Sequence, residues 1–120
     1  MGVSEPLIQT SLLGEAIEHT PVAVFVADEH GMYVAVNPAA CTMLGYERGE
    51  LVGLHCSDVA RDGASDEARS ELLRNGTHRG TSRLTRKDGT TVEFAYAAAA
   101  TTVAGMPGFV SVGAFAPPGR

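Results

Sequence analysis

The sequence predicts an α+β fold, in which one antiparallel sheet of about five strands carries short helices on one face and a further helix leads in at the N-terminus. Three observations carry this reading. Strand-like apolar segments fall into two groups, each arranged as a hairpin, and the stretch between the groups is cut into short helical pieces. The 120 residues provide room for one hydrophobic core, not two.

Across residues 7–19, Ile8, Leu12, Leu13, Ala16 and Ile17 recur mostly four apart, which predicts an amphipathic helix. Pro21 ends it by pushing Thr20 out of the α region. Residues 22–27 are apolar and rich in β-branched side chains, as in a buried strand, and Asp28-Glu29-His30-Gly31 supplies a turn into a second strand over 32–36. Asn37-Pro38 reads as an N-cap followed by a proline at the first helical position, so a helix is predicted over 38–44 with Gly45 as its C-terminal cap. Further single turns of helix are expected over 47–52, stopped by Gly53, and over 56–60. None of these pieces is long enough to stand alone.

A longer helix over 65–75 starts at Ser65 as cap, has Asp66 and Glu67 in its first turn and Arg74 in its last, and stops at Asn75-Gly76. Its inward stripe is thin: Ala68, Leu72 and Leu73. Residues 79–86 and 91–99 form a hairpin around Asp88-Gly89, which suits a tight primed turn. In its second arm Val92, Phe94 and Tyr96 alternate with Glu93 and Ala95. A turn at 105–108 leads to a last strand over 109–115, and Pro117, Pro118 and Gly119 end the regular structure. The chain thus divides into an N-terminal helix (1–19), a core domain (20–116) and a tail (117–120).

Composition excludes several function classes. A net charge of −5 with no cluster of basic and aromatic residues opposes binding to nucleic acid. The longest apolar runs, 21–27 and 94–100, fall far short of the roughly 20 residues of a membrane-spanning helix. The N-terminus lacks the basic and apolar regions of a secretion signal, so a cytoplasmic location is expected. Cys41 and Cys56 form no CxxC pair and have no clustered histidines, which argues against a metal site and for reduced thiols. Lys87 is the only lysine and alanine is abundant, a bias that suggests a bacterial source. Hydrolase, nucleotide-binding and zinc-protease motifs are all missing, so no catalytic residue is assigned and a non-enzymatic role is expected.

The series Pro21-x-x-Val24-Phe25-Val26-x-Asp28-x-x-Gly31, Val36-Asn37-Pro38-Ala39-Ala40, Leu44-Gly45-Tyr46, Glu50-Leu51-x-Gly53 and Arg86-Lys87-Asp88-Gly89-Thr90 resembles the PAS sensory-domain family in order and spacing, over nearly the whole chain. The resemblance implies a five-stranded antiparallel sheet whose concave face holds a ligand under the short helices, and a role as a signal sensor. It also implies an effector domain or partner signalling protein. One departure is that Phe115-Ala116-Pro117 stands where the family often has an Asp-Ile-Thr-like triplet leading into an output helix. The prolines would interrupt such a helix.

The same resemblance brings cofactors into question. Cys56 falls where flavin-binding, light-sensing members carry their adduct-forming cysteine, but His55-Cys56-Ser57-Asp58-Val59-Ala60 replaces their Asn-Cys-Arg-Phe-Leu-Gln-like run, and Gly113 stands in the place of a flavin-contacting glutamine. Flavin is therefore disfavoured. Haem-binding members place a proximal histidine on the longer helix, where residues 65–75 have none; His55 is left as a ligand in a less common arrangement, and haem is a weaker alternative. A small organic ligand of mainly apolar character is the leading expectation. Met43, Cys56, Leu72, Phe94 and Tyr96 are the candidate lining residues, each equally at home in a packed core. Asn37 is first of all a helix cap, with a ligand contact as a second duty. The alternative to ligand sensing is a protein–protein interaction module in which Ile8, Leu12, Leu13 and Ile17 pack against a second copy as a homodimer.

Overall fold

The structure is a computed structural model and describes residues 6–115, apart from the side chains of residues 64, 65 and 103. The tail at 117–120 and most of the Phe115-Ala116-Pro117 triplet lie outside the described residues. In chain order the elements are α1 (Pro6–His19), β1 (Ala23–Asp28), β2 (Tyr33–Val36), α2 (Pro38–Leu44), α3 (Arg48–Leu51), α4 (Cys56–Val59), α5 (Ala64–Asn75), β3 (Thr77–Thr85), β4 (Thr91–Val103) and β5 (Met106–Phe115). The strands form one antiparallel sheet in the order β2-β1-β5-β4-β3. The last strand thus fills the centre. β5 pairs with β1 from Ala23↔Gly113 to Asp28↔Gly108 and with β4 from Phe94↔Phe115 to Val103↔Met106, joining the two hairpin groups into one surface.

The sheet buries one face. Phe25, Tyr33, Leu84, Val92 and Phe94 form the core with Ala40 and Leu44 of α2, Leu51 of α3 and Val59 of α4; Leu44, Leu51 and Val59 are fully inaccessible. A second cluster of Leu72, Ala98 and Phe109 seats α5 on β4 and β5. Short helices survive here because each is capped and each contributes a buried side chain. Asn37 caps α2, Glu47 and Glu50 form a reciprocal box at α3, and His55 and Asp58 do the same at α4.

Several sequence expectations are corrected. α5 begins one residue early, with Gly63 rather than Ser65 in the cap position, and Leu73 is exposed while Ala68 and Leu72 face inward. The β3–β4 connection is not a two-residue primed turn. Thr85 pairs with Thr91, Arg86 N–H donates to Thr90 O at 2.7 Å, and Gly89 N–H donates to Arg86 O at 2.9 Å. Gly89 takes φ +91°, which makes this the three-residue loop with a left-handed glycine; Asp88 Oδ1 holds it by accepting from the Thr90 amide at 2.9 Å. The tight primed turn lies instead between β4 and β5. There Ala104 and Gly105 both have positive φ (51° and 78°) between the Val103↔Met106 pair, so β4 runs past residue 99 and β5 starts before residue 109.

α1 differs most from expectation. None of its residues is buried, and its apolar side chains are spread over more than half of its circumference rather than along one narrow stripe. It is tethered at its C-terminal end, where Glu18 pairs with Arg48 at 2.8 Å and the Asn37 amide donates to Ile17 O at 2.9 Å. Gly14 is a helix-interior glycine, and a methyl group added to its Cα would have nothing within 4 Å. The Gly14→Ala variant should therefore gain helix stability of about 0.5–1 kcal/mol, seen as increased far-ultraviolet ellipticity and slower amide exchange in α1.

The β1–β2 turn is a pH-sensitive element. Asp28 Oδ1 accepts from the amides of His30 at 2.9 Å and Met32 at 3.0 Å. The Met32 amide above all holds the Asp28 carboxyl below its ordinary value, against a smaller opposing effect of desolvation. A folded-state value below the unfolded one means the contribution is complete above the unfolded carboxylate range near pH 4 and is lost as pH falls through the folded value. In urea titrations the stability gap between wild type and Asp28→Ala should accordingly be constant at neutral pH and shrink below about pH 4.

Candidate functional site

Between the inner sheet face and the helices lies a cavity of about 90 Å³. Its floor is the inward-facing row of the strands: Phe25 and Ala27 from β1, Tyr33 from β2, Ser82 and Leu84 from β3, Phe94, Tyr96 and Ala98 from β4, and Phe109 and Ser111 from β5. Cys56 and Ala60 close one side, and Ala68, Arg69 and Leu72 of α5 close another. The period-two alternation of β3 and β4 puts these residues on one face while Arg83, Glu93 and Ala95 face outward. The aromatic wall is ordered: Phe25 meets Phe94 edge-on at 5.5 Å, and Phe94 stacks on Tyr96 at 5.5 Å with 10° between the rings.

Four predicted residues, Cys56, Leu72, Phe94 and Tyr96, line this cavity together. Asn37 and Met43 do not. Asn37 is buried at the N-terminus of α2, where its four side-chain hydrogen bonds all go to backbone. Met43 is half-buried against the core, and its carbonyl accepts from Arg86 Nε at 3.0 Å. Sequence reasoning missed Arg69 and Ser82. Both line the cavity, and both bury a polar atom, Arg69 Nε and Ser82 Oγ, that has no hydrogen-bond partner.

Besides Arg69, the titratable groups of the cavity include two phenols. Tyr33 is pushed well above the ordinary phenol value, chiefly by burial, with Cys56, Asp58 and Tyr96 adding to the effect. Tyr96 is raised by burial first and then by Asp62 and Cys56. Both phenols are therefore uncharged at neutral pH and able to donate. Among the described residues no group of three or more His, Cys, Asp or Glu side chains is placed to hold a metal ion.

A PAS-domain family model matches residues 21–111. The chain belongs to the PAS domain family. Among solved structures it is similar to a domain of a sensory box sensor histidine kinase/response regulator from Geobacter sulfurreducens, with 20% identity, a TM-score of 0.80, and 94% of this chain and 99% of that chain covered. It is also similar to the PAS domain of an HTR-like protein from Haloarcula marismortui, with 20% identity, a TM-score of 0.79 and coverage of 90% and 92%. A LOV protein from Rhodobacter sphaeroides is similar at 17% identity, with a TM-score of 0.75 and coverage of 96% and 70%. At these identities the likeness shows a shared fold. No curated protein matches.

The residues of this PAS domain do not fit a flavin or a haem. The cavity is well below the roughly 300 Å³ at which cofactor-sized pockets begin. Gly113 lies on the inner face beside Tyr96 and offers no side chain, so the amide donor expected of a flavin site is missing. His55 has both ring nitrogens occupied: Nε2 lies 2.8 Å from His30 O, while Nδ1 accepts from Ser57 N at 3.1 Å and lies 2.8 Å from Ser57 Oγ. Its work is to cap α4 and pin the β1–β2 turn, and an iron ligand would have to abandon both.

Proposed function

We propose that this PAS domain is a non-catalytic sensor module of bacterial signal transduction, in which a small molecule enters the cavity between sheet and helices and shifts a two-state equilibrium read by an effector domain or partner protein. The observation that carries this reading is the cavity itself, walled by Phe25, Phe94, Phe109 and Leu72 where a domain of this size would otherwise pack solid. At about 90 Å³ it admits a molecule smaller than benzene, about four non-hydrogen atoms, since benzene's six occupy a cavity of about 150 Å³.

Native mass spectrometry and thermal melting against small metabolites test it. A true ligand at 100-fold excess over its Kd stabilises by about 2.7 kcal/mol, on the order of 10 °C for a domain of this length. The Ala98→Leu variant, which fills the cavity from β4, should lose that response. Wild-type protein that carries no ligand mass and shows no shift with any compound defeats the proposal.

The exposed apolar side chains of α1 favour a second reading that is compatible with the first: Leu7, Leu12, Leu13 and Ile17 are 82%, 49%, 63% and 43% exposed, and Ile8 is half-buried. We infer a homodimer through Ile8, Leu12, Leu13 and Ile17. Sedimentation equilibrium should then give a dimer for wild type and a monomer for Leu13→Asp, whereas a monomeric wild type removes this reading.

A further inference from the structure

We propose that the cavity is built for a small anion-headed ligand, a short-chain monocarboxylate, whose head lies at the Arg69–Ser82 end and whose alkyl body lies against the aromatic wall. The inference rests on the sensor reading above and replaces its mainly apolar ligand with an amphiphilic one. Ser82 is 6% exposed, faces inward opposite Phe94 in the β3–β4 ladder, and leaves its hydroxyl without a partner. Arg69 Nε is equally inaccessible and unpartnered, and no ion pair among the described residues engages this guanidinium. A buried donor left unsatisfied is costly, and more so on a charged group. Two such donors from different elements, both on residues that line one cavity, therefore point to an acceptor between them.

The charge of that acceptor follows from the lining. Among the described residues no Asp, Glu, Lys or His lines the cavity, Tyr33 and Tyr96 are held neutral, and Arg69 supplies the only formal charge. Guanidinium offers donors alone in a planar fork that matches a carboxylate. The apolar part of the wall, with Phe25, Leu72, Phe94 and Phe109, suits an alkyl chain. With space for about four non-hydrogen atoms, acetate fits and propionate, one atom larger, marks the upper limit.

The test is an amide-resolved NMR titration of the whole chain with sodium propionate and, at matched ionic strength, with propionamide, its neutral isostere. Propionate should shift the amides of Arg69 and Ser82 saturably, and propionamide should bind at least about tenfold more weakly. Arg69→Gln should weaken propionate about 10- to 100-fold, Arg69→Lys less, and Ser82→Ala about 2- to 10-fold, with the melting temperature of each unliganded variant recorded so that loss of fold is separated from loss of binding. Equal binding of the two probes, or an undiminished response in a folded Arg69→Gln, overturns the anion assignment and leaves the sensor cavity standing. Silence toward propionate with a clear response to propionamide does the same. If neither probe shifts a cavity amide, hydration alone satisfies the two donors and the site proposal fails, while the metabolite melts above judge the sensor reading separately.

Discussion

Replacing Asn37 with alanine is expected to lower stability by about 3–5 kcal/mol, a fall in melting temperature of roughly 10–20 °C for a domain of this length. An ordinary N-cap accounts for only about 1 kcal/mol of that. Asn37 does more than cap α2. Its Oδ1 accepts from Ala40 N at 3.2 Å, which is the cap, and also from Val24 N at 2.9 Å near the start of β1. Its Nδ2 donates to Val22 O at 2.8 Å and to Ile17 O at 2.9 Å. At 3% exposure the side chain is beyond the reach of bulk water, so truncation strands backbone groups, at about 1–3 kcal/mol for each one left unsatisfied.

Asn37→Asp separates the two roles. Aspartate caps a helix as well as asparagine does, so a pure cap would be unaffected. Here an oxygen would replace the amide nitrogen that faces two carbonyls, and a loss of at least about 2 kcal/mol by urea unfolding is expected. A neutral Asn37→Asp would reduce Asn37 to a cap alone. Because one of its bonds ends on Ile17, both variants should also speed amide exchange at the C-terminal end of α1, where that helix is tied to the core.

The contrast between α2 and the cavity explains what the sequence could disclose. The limits of α2 follow from Asn37, Pro38 and Gly45, whose preferences act within a few bonds of the backbone and need no partner. The order of elements was legible for the same reason. The central place of β5 was not, because pairing with both β1 and β4 is decided by burial across the whole chain. The two hairpins show the same limit at short range. Asp88-Gly89 marks a turn, but a two-residue and a three-residue loop both accept that pair, and the registers Leu84↔Val92 and Ser82↔Phe94 choose between them. Ser82 was within reach of parity: it lies two residues before Leu84 and alternates with Arg83, so the face that buries Leu84 must also bury its hydroxyl. Arg69 was not, since an arginine beside the inward Ala68 and Leu72 looks like any solvated helix residue until the facing strand is known.

Gly113→Ala is expected to be the most damaging single-methyl change in the chain. A Cβ at this position would lie 2.8 Å from Tyr96 Cα and 2.9 Å from Tyr96 Cβ, and closer still to the Ala95 carbonyl oxygen. Two of these obstacles are backbone atoms, so no rotamer change relieves the clash. Nor can β5 retreat, because Gly113 pairs with Ala23 on one side and Tyr96 on the other. Overpacking a core ordinarily costs about 1–3 kcal/mol; prying apart two central strands should cost about 3 kcal/mol or more, with much of the protein insoluble on expression. Protection from amide exchange should fall first at residues 95–98 and 110–113, which face each other across this contact. A Gly113→Ala protein that melts within about 2 °C of wild type would mean that the strands separate freely. The methyl-sized vacancy at residue 113 is thus what lets Tyr96 lie stacked on Phe94 at the cavity wall. The same close approach keeps a side chain at residue 113 out of the cavity and leaves the share of β5 in its lining to Phe109 and Ser111.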